Sequence, residues 1–281
     1  MADMIGDLIW TEIDTVRAFD LDNGALLAQL DEMQSVSISQ SEETTEITGK
    51  NGRRLSTIKR NKSMTVSGNN GIISGGLMAI QTGSAYGGNV TRTVLTAETL
   101  KVSNAHTATI TGTPADTDAI TAVLLNEDGT QGASYVMATG TSAAAAAASS
   151  TINSDGVLVV TNGKFTYSSK VLTFDSGVTE GTQVIVYYTT SVTASGFLAD
   201  YSDKFAKKVA LYVDGLAEDK CGHTYHVQFY FPKADFNGNF SLDLGDSQVV
   251  HAFEATVLAG GGCDSTLNGA FFTYTVFGVS E

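Results

Sequence analysis

Six Asn-Gly pairs, beginning at residues 23, 51, 70, 162, 237 and 268, divide this chain into short stretches. Asn and Gly tolerate positive φ, so each pair favours a tight reversal of the backbone. A chain that reverses so often, and holds only two prolines in 281 residues, is suited to hairpins rather than helices. The intervening stretches agree. SVSISQ (35–40) alternates Val36 and Ile38 with serines, and SMTVSG (63–68) does the same with Met64 and Val66. QVIVYYTT (183–190) and VVHAFEATVLA (249–259) are apolar on both faces, as the inner strands of a sandwich are. VLVVTNGKFTYS (157–168) reads as the clearest hairpin, with apolar alternation on both sides of Asn162-Gly163 and a type I′ turn between.

Helical signals are few. In NNGIISGGLMAIQTG (69–83), Ile73, Leu77 and Ile80 recur at helical spacing, Asn69 or Asn70 caps the start and Gly83 ends it. Gly75 and Gly76 each weaken that helix by about 1 kcal/mol relative to alanine, so it needs a sheet to pack on. DLDNGALLAQLDEMQ (20–34) offers another turn or two, and SAAAAAASS (142–150) reads as a surface loop or short helical cap. Between 105 and 193 the only bases are Lys164 and Lys170, and strand-like segments alternate with turn signals such as NEDGT and DSGVTEGT. This predicts a small β unit inserted in a larger one, with linkers near SNAHT and TASG.

Charge narrows the function. Thirty acids against 16 bases leave a net −14 and a pI near 4.5, which argues against broad nucleic-acid binding and against docking on anionic membranes. With 42% hydrophobic residues the chain is no disordered acidic tail. No run reaches the roughly 18 apolar residues of a membrane helix, and MADMIGDLIW lacks the basic and apolar regions of a secretory signal. Cys221 and Cys263 are too few for a disulfide framework; two free thiols in a reducing cytosol are expected, with a single bridge left open.

Against this acidic background GKNGRRLSTIKRNK (49–62) gathers Lys50, Arg53, Arg54, Lys59, Arg60 and Lys62 with no acid, whereas residues 1–46 carry eleven acids and one base, Arg17. The patch lies between two strand segments and reads as a long hairpin loop. A loop of that length without structure of its own is uncommon and tends to be functional. Its charges either offset nearby acids or dock on an acidic partner, and the nearest acidic partner is another copy of this chain.

Catalytic and metal constellations are weak. CGHTYH brings Cys221, His223 and His226 together, but strand alternation turns the two imidazoles to opposite faces and a second ligand pair is missing, so no metal is expected. The acids of DYSDK (200–204) with His251 suggest acid–base work only in outline. GxSxG, HExxH and phosphate-loop motifs do not occur, so neither catalysis nor a cofactor is expected.

Two segments carry a resemblance. TGKNGRRLSTIKRNKSMTVSGNNGIISGGLMAIQTGS (48–84) resembles the tail tube, or major tail, proteins of long-tailed bacteriophages, through Gly49, Gly52, Lys62, Val66, Gly68, Leu77, Gln81, Thr82, Gly83 and Ser84. KVALYVDGLAEDKCGHTYHVQFYFPKADFNGNFSLDLG (208–245) is similar to that family's late hairpin, with Pro232, Lys233, Ala234, Phe236, Gly238 and Asn239, and the closing strands HAFEATVLAGG and FFTYTVFGV follow in the family's order.

The resemblance implies a mainly β fold: two packed antiparallel sheets flanked by one helix, formed by 1–104 and 194–281, with 105–193 as an inserted immunoglobulin-like β unit on the tube exterior. It implies a structural virion protein rather than an enzyme. Six copies would form a ring and rings would stack into a tube that conducts double-stranded DNA. The implied partners are the protein itself, a tape-measure protein and tail tip and terminator proteins; DNA would pass without specific binding, and no membrane is involved. The implied location is the virion tail, after assembly in the bacterial host cytoplasm. The basic loop, with Lys50, Arg53, Arg54, Lys59, Arg60 and Lys62, corresponds to the family's inter-ring contact. A capsid decoration or adhesin-like β binding protein is the alternative.

Overall fold

A computed structural model describes residues 7–138, 149–152, 158–239, 241–243, 250–260 and 267–278. In chain order the elements are β1 (Ile9–Asp20), β2 (Leu26–Leu30), β3 (Met33–Thr48), β4 (Arg54–Asn70), α1 (Gly75–Thr82), β5 (Val90–Lys101), β6 (Thr107–Thr109), β7 (Thr121–Leu125), β8 (Gln131–Met137) and β9 (Ser149–Ile152). They continue as β10 (Leu158–Thr161), β11 (Gly163–Ser168), β12 (Val171–Thr173), β13 (Gln183–Ala194), β14 (Lys208–Glu218), β15 (Thr224–Phe236), β16 (Leu242–Asp243), β17 (Val250–Val257) and β18 (Thr273–Phe277). The protein is mainly β. The chain divides into two compact units, Met1–Gly87 with Gly196–Glu281, and Gly88–Ser195.

The larger unit is a nine-stranded sheet ordered β2-β1-β14-β15-β17-β4-β3, with β16 and β18 attached at β17 and β15. Every pair is antiparallel. β15 serves two ladders: His226–Tyr230 pair with β18, and Ala234–Phe236 pair with β17. The sheet turns at β15, and its two halves pack face to face over Val16, Leu30, Val66, Leu211, Phe231 and Ala255. Pro232 fits inside β15 because it lies at a bulge, between the pairs Leu211↔Phe231 and Val209↔Ala234, where a ladder donor is not needed.

α1 lies against β2 and is shorter than the 69–83 of the sequence reading. β4 keeps Asn69 and Asn70 in its ladder, so neither caps the helix; Ser74 does, accepting the Leu77 N–H at 3.2 Å. Gly83, at φ 70, ends it as expected. The segment 20–34 holds β2 rather than helix, because Ala28 and Leu30 alternate into the core with period two.

The smaller unit is a sheet ordered β5-β13-β7-β8-β11-β12-β6, with a separate β9–β10 ladder. Only β8 and β11 run parallel among its described pairs. Its core is Ile110, Ile120, Phe165, Leu172, Val184, Val186 and Tyr188. The unit is wider than 105–193, because β5 pairs with β13 over twelve residues, from Gln183↔Lys101 to Ala194↔Val90. The expected hairpin at 157–168 does not form: β10 pairs with β9, while β11 pairs with β8 and β12. Gly163 is explained by packing instead, since a Cβ there would lie 2.4 Å from the Tyr135 ring. The tight reversal comes later, at Ser169 (φ 48) and Lys170 (φ 70), between β11 and β12. Of the alanine run 142–150, all but its last two residues lie outside the described residues.

Candidate assembly interface

The basic patch is not a loop. β3 and β4 stay paired from Ser41↔Ser63 to Thr48↔Arg54, and only the 3-10 turn Lys50–Gly52 joins them, reversing through Asn51 (φ 65) and Gly52 (φ 72). β4 meets β17 only from Met64 to Asn70. Residues 41–63 therefore form a two-stranded arm beyond the last shared ladder. Nine β4 residues, 54–62, give it a length of about 30 Å at ~3.4 Å per residue.

An isolated ribbon is marginal in water, so cross-strand side chains matter. The Ser41 and Ser63 hydroxyls are 2.8 Å apart, and Asn61 Nδ2 donates to Glu43 Oε2 at 2.7 Å. Lys59 pairs with Glu42, and Arg54 with Glu46. Exposed pairs of this kind contribute at most about 1 kcal/mol each. Three acids against six bases leave residues 41–63 at net +3 in a chain of net −14.

The six expected contact residues divide into two groups. Arg54 and Lys59 are engaged by the arm's own glutamates, and Lys62 lies over the Phe271 ring at 5.6 Å. Among the described residues, Lys50, Arg53 and Arg60 have no ion-pair partner; Lys50 and Arg53 flank the tip. Apolar side chains accompany them: Leu55 is 65% exposed, Ile47 and Ile58 less so.

The histidines and cysteine serve structure. Asp219 accepts from the N–H groups of His223 (2.9 Å) and Cys221 (2.8 Å), and its Oδ2 lies 3.1 Å from His223 Nδ1. The backbone bond from His223 is the leading cause that holds the Asp219 carboxyl down to about 2. His226 instead stacks on Phe277, with centroids 5.8 Å apart. No group of three His, Cys, Asp or Glu side chains suited to a metal occurs among the described residues. Cys221 is a free, exposed thiol, and Cys263 lies outside the described residues.

His251 has a role that its sequence context does not signal. It is fully buried; its Nδ1 accepts the Ser74 N–H at 3.2 Å, which makes Nε2 the donor to Gln81 Oε1 at 2.8 Å. Gln81 Nε2 then donates to Ala252 O at 2.9 Å. The chain ties both ends of α1 to β17, and burial pushes the imidazole below its ordinary value. His251 is thus a strut between helix and sheet, and Asp200 and Asp203 take no part in its bonds to Ser74 and Gln81.

A family model described as the YomU/Tube protein family matches residues 9–272. The chain belongs to that family. No curated protein matches it. Membership agrees with the tail tube resemblance carried by 48–84 and 208–245, and it makes the chain a phage tube protein, a component of the virion tail. The match runs through both compact units. No helix among the described residues is long and apolar enough to cross a membrane.

Proposed function

We propose that this tube protein assembles into stacked rings of six subunits that form a conduit for double-stranded DNA in a long-tailed phage. The arm, residues 41–63, bridges one ring to the next through Lys50, Arg53, Arg54, Lys59, Arg60 and Lys62. The observation that carries this reading is the arm itself. It extends past the sheet that anchors it, is net positive on an acidic chain, and carries three cations without an ion-pair partner among the described residues beside the exposed Leu55. Such a surface is complementary in charge to the rest of the molecule.

A second feature supports the conduit. On the solvent face of β3, β4 and β17, alternation places Ser35, Ser37, Ser39, Thr65, Ser67 and Glu254 side by side, and Ser35, Ser37, Ser67 and Glu254 line a groove of about 510 Å³ there. This face carries hydroxyls and a carboxylate, without lysine or arginine. Phosphate binding depends on cations, so a wall of this composition lets DNA slide. In this reading a tape-measure protein templates assembly in the bacterial host cytoplasm, and tail tip and terminator proteins close the ends. The smaller unit, 88–195, decorates the outside, because a lumen sized for DNA has no room for six such domains.

Negative-stain microscopy of concentrated protein at neutral pH tests the reading. Stacked rings with a central hole are expected for the natural protein, and unstacked rings or monomers for Lys50→Glu/Arg53→Glu/Arg60→Glu. Normal tubes from that triple variant would refute the arm's role.

A further inference from the structure

A groove on the larger unit matches the arm in chemistry. Its floor is aromatic: Phe19 meets Tyr212 edge-on at 5.4 Å, and Tyr212 stacks on Tyr230 at 4.4 Å. Leu21, 41% exposed, stands at its rim beside Asp20, and the space measures about 440 Å³. The one base in its lining, Arg17, is already held by Asp214 at 3.1 Å, so the free charge at the rim is acidic.

The rim is also built in advance. Asp20 N–H donates to Ala25 O at 2.8 Å, Asp20 Oδ1 accepts the Asp22 N–H at 2.8 Å, and Asn23 Oδ1 accepts the Ala25 N–H at 2.8 Å. Gly24, at φ 69, completes the reversal with open space around it. A fixed turn of this kind loses little entropy when something binds to it.

We infer that this groove receives the arm tip of a second copy of the chain, with Leu55 and the aliphatic stems of Lys50 and Arg53 on the aromatic floor and their charges on Asp20 and Asp22. The inference rests on the arm being the inter-ring contact. Three observations select this occupant. The tip is basic and apolar where the rim is acidic and the floor aromatic, and guanidinium groups favour tyrosine faces. Leu55 and Leu21 are both exposed in the monomer, so each offers apolar surface to such a contact. Finally, strands β1, β15 and β4 run in one sense through the alternating ladder, so the arm at the start of β4 and the Asp20 turn at the end of β1 occupy opposite strand ends. A tip and a socket at opposite ends form a heterologous contact that repeats from copy to copy and generates a stack.

The test is a charge swap read by light scattering of tube growth. Asp20→Asn keeps the acceptor oxygen that holds the turn; with Asp22→Lys it reverses the rim without removing the turn's hydrogen bond. This pair is expected to slow growth by roughly tenfold or more, as loss of complementary charge does. Adding Lys50→Glu and Arg53→Glu to the same chain is expected to restore growth. A photo-crosslinker placed at Leu55 is expected to give intermolecular adducts with peptides containing 19–24 or 210–212. If the groove variant grows at the natural rate while the Lys50→Glu/Arg53→Glu variant stalls, the arm seats elsewhere and the inference fails, although the proposed function stands. If neither variant slows growth, both fall. Adducts confined to another surface also overturn the inference.

Discussion

Gly76→Ala separates the packing account from helix propensity most sharply. Propensity alone favours the change by about 1 kcal/mol, because alanine is the better helix former. The structure reverses the sign. A Cβ at Gly76 would lie 2.5 Å from the Leu27 carbonyl oxygen and 3.2 Å from Ala28 Cα, both backbone atoms of β2, which β1 holds in place. A tolerable carbon–oxygen contact is near 3.3 Å, so α1 must move out by about 0.8 Å. That gap forfeits about a quarter to a half of the dispersion beneath Leu77 and Ile80, both 1% exposed. Overpacking of this kind costs about 1–3 kcal/mol, which leaves a net loss of about 1 kcal/mol after the propensity gain. Gly75→Ala is the control. The three atoms nearest its Cβ would all belong to the Tyr86 ring, the first at 2.6 Å, and that ring is exposed and can swing aside. Urea unfolding followed by Trp10, the one tryptophan, reports on the larger unit. At a slope of about 2 kcal/mol/M, Gly76→Ala should lower the midpoint by about 0.5 M, with Gly75→Ala near the natural protein. A raised midpoint for Gly76→Ala would refute the close seating of α1 on β2.

Further expectations concern buried polar groups and the two units. Because burial lowers the His251 pKa, the folded state binds fewer protons than the unfolded state below the ordinary 6.5; stability is complete above that pH and declines as pH falls beneath it. His251→Leu should remove this contribution and cost about 2–3 kcal/mol by leaving Ser74 N–H and Gln81 Oε1 without these bonds, measured as urea midpoints at pH 7.5 and 5.5. In the smaller unit, burial raises the Glu98 pKa, but hydrogen bonds from Tyr188 and from the Thr111 and Gly112 N–H groups outweigh it and the net shift is downward. Its stabilisation is therefore present above the ordinary 4.5 and lost as pH falls below it; Tyr188→Phe should raise the Glu98 pKa in an NMR titration. Deleting 88–195 and closing the gap with a short turn should leave the larger unit folded by Trp10 fluorescence, because Gly87 and Phe197 already exchange backbone hydrogen bonds at 3.1 and 2.7 Å.

How much of this was legible in the sequence depended on whether one face of a segment is buried. Segments 35–40 and 63–68 alternate because a core lies on one side, 183–190 is apolar on both faces, and all three fall within strands of the structure; of 249–259, residues 250–257 form β17. Residues 49–62 read as a loop because neither face of the segment is buried; with no core to mark a period, cross-strand pairs such as Asn61–Glu43 hold the arm, and those need the register to be known. Asn-Gly pairs misled where glycine serves contact rather than turning, as at Gly163 beneath Tyr135, and the Ser169-Lys170 reversal carries no glycine at all. Gly75 and Gly76 looked like helix weaknesses because sequence shows their propensity and not the Tyr86 ring and β2 backbone beside them. The basic residues of the arm were legible as a cluster; that three of them are engaged within the subunit emerged only from pairing with Glu42, Glu46 and Phe271.

The most direct test is a three-dimensional electron microscopy map of the assembled protein at neutral pH, traced through the arm. The account predicts closed rings in which residues 41–63 of every subunit leave their own ring and touch a subunit of the adjacent one. A map in which those residues contact only their own subunit or solvent would contradict it.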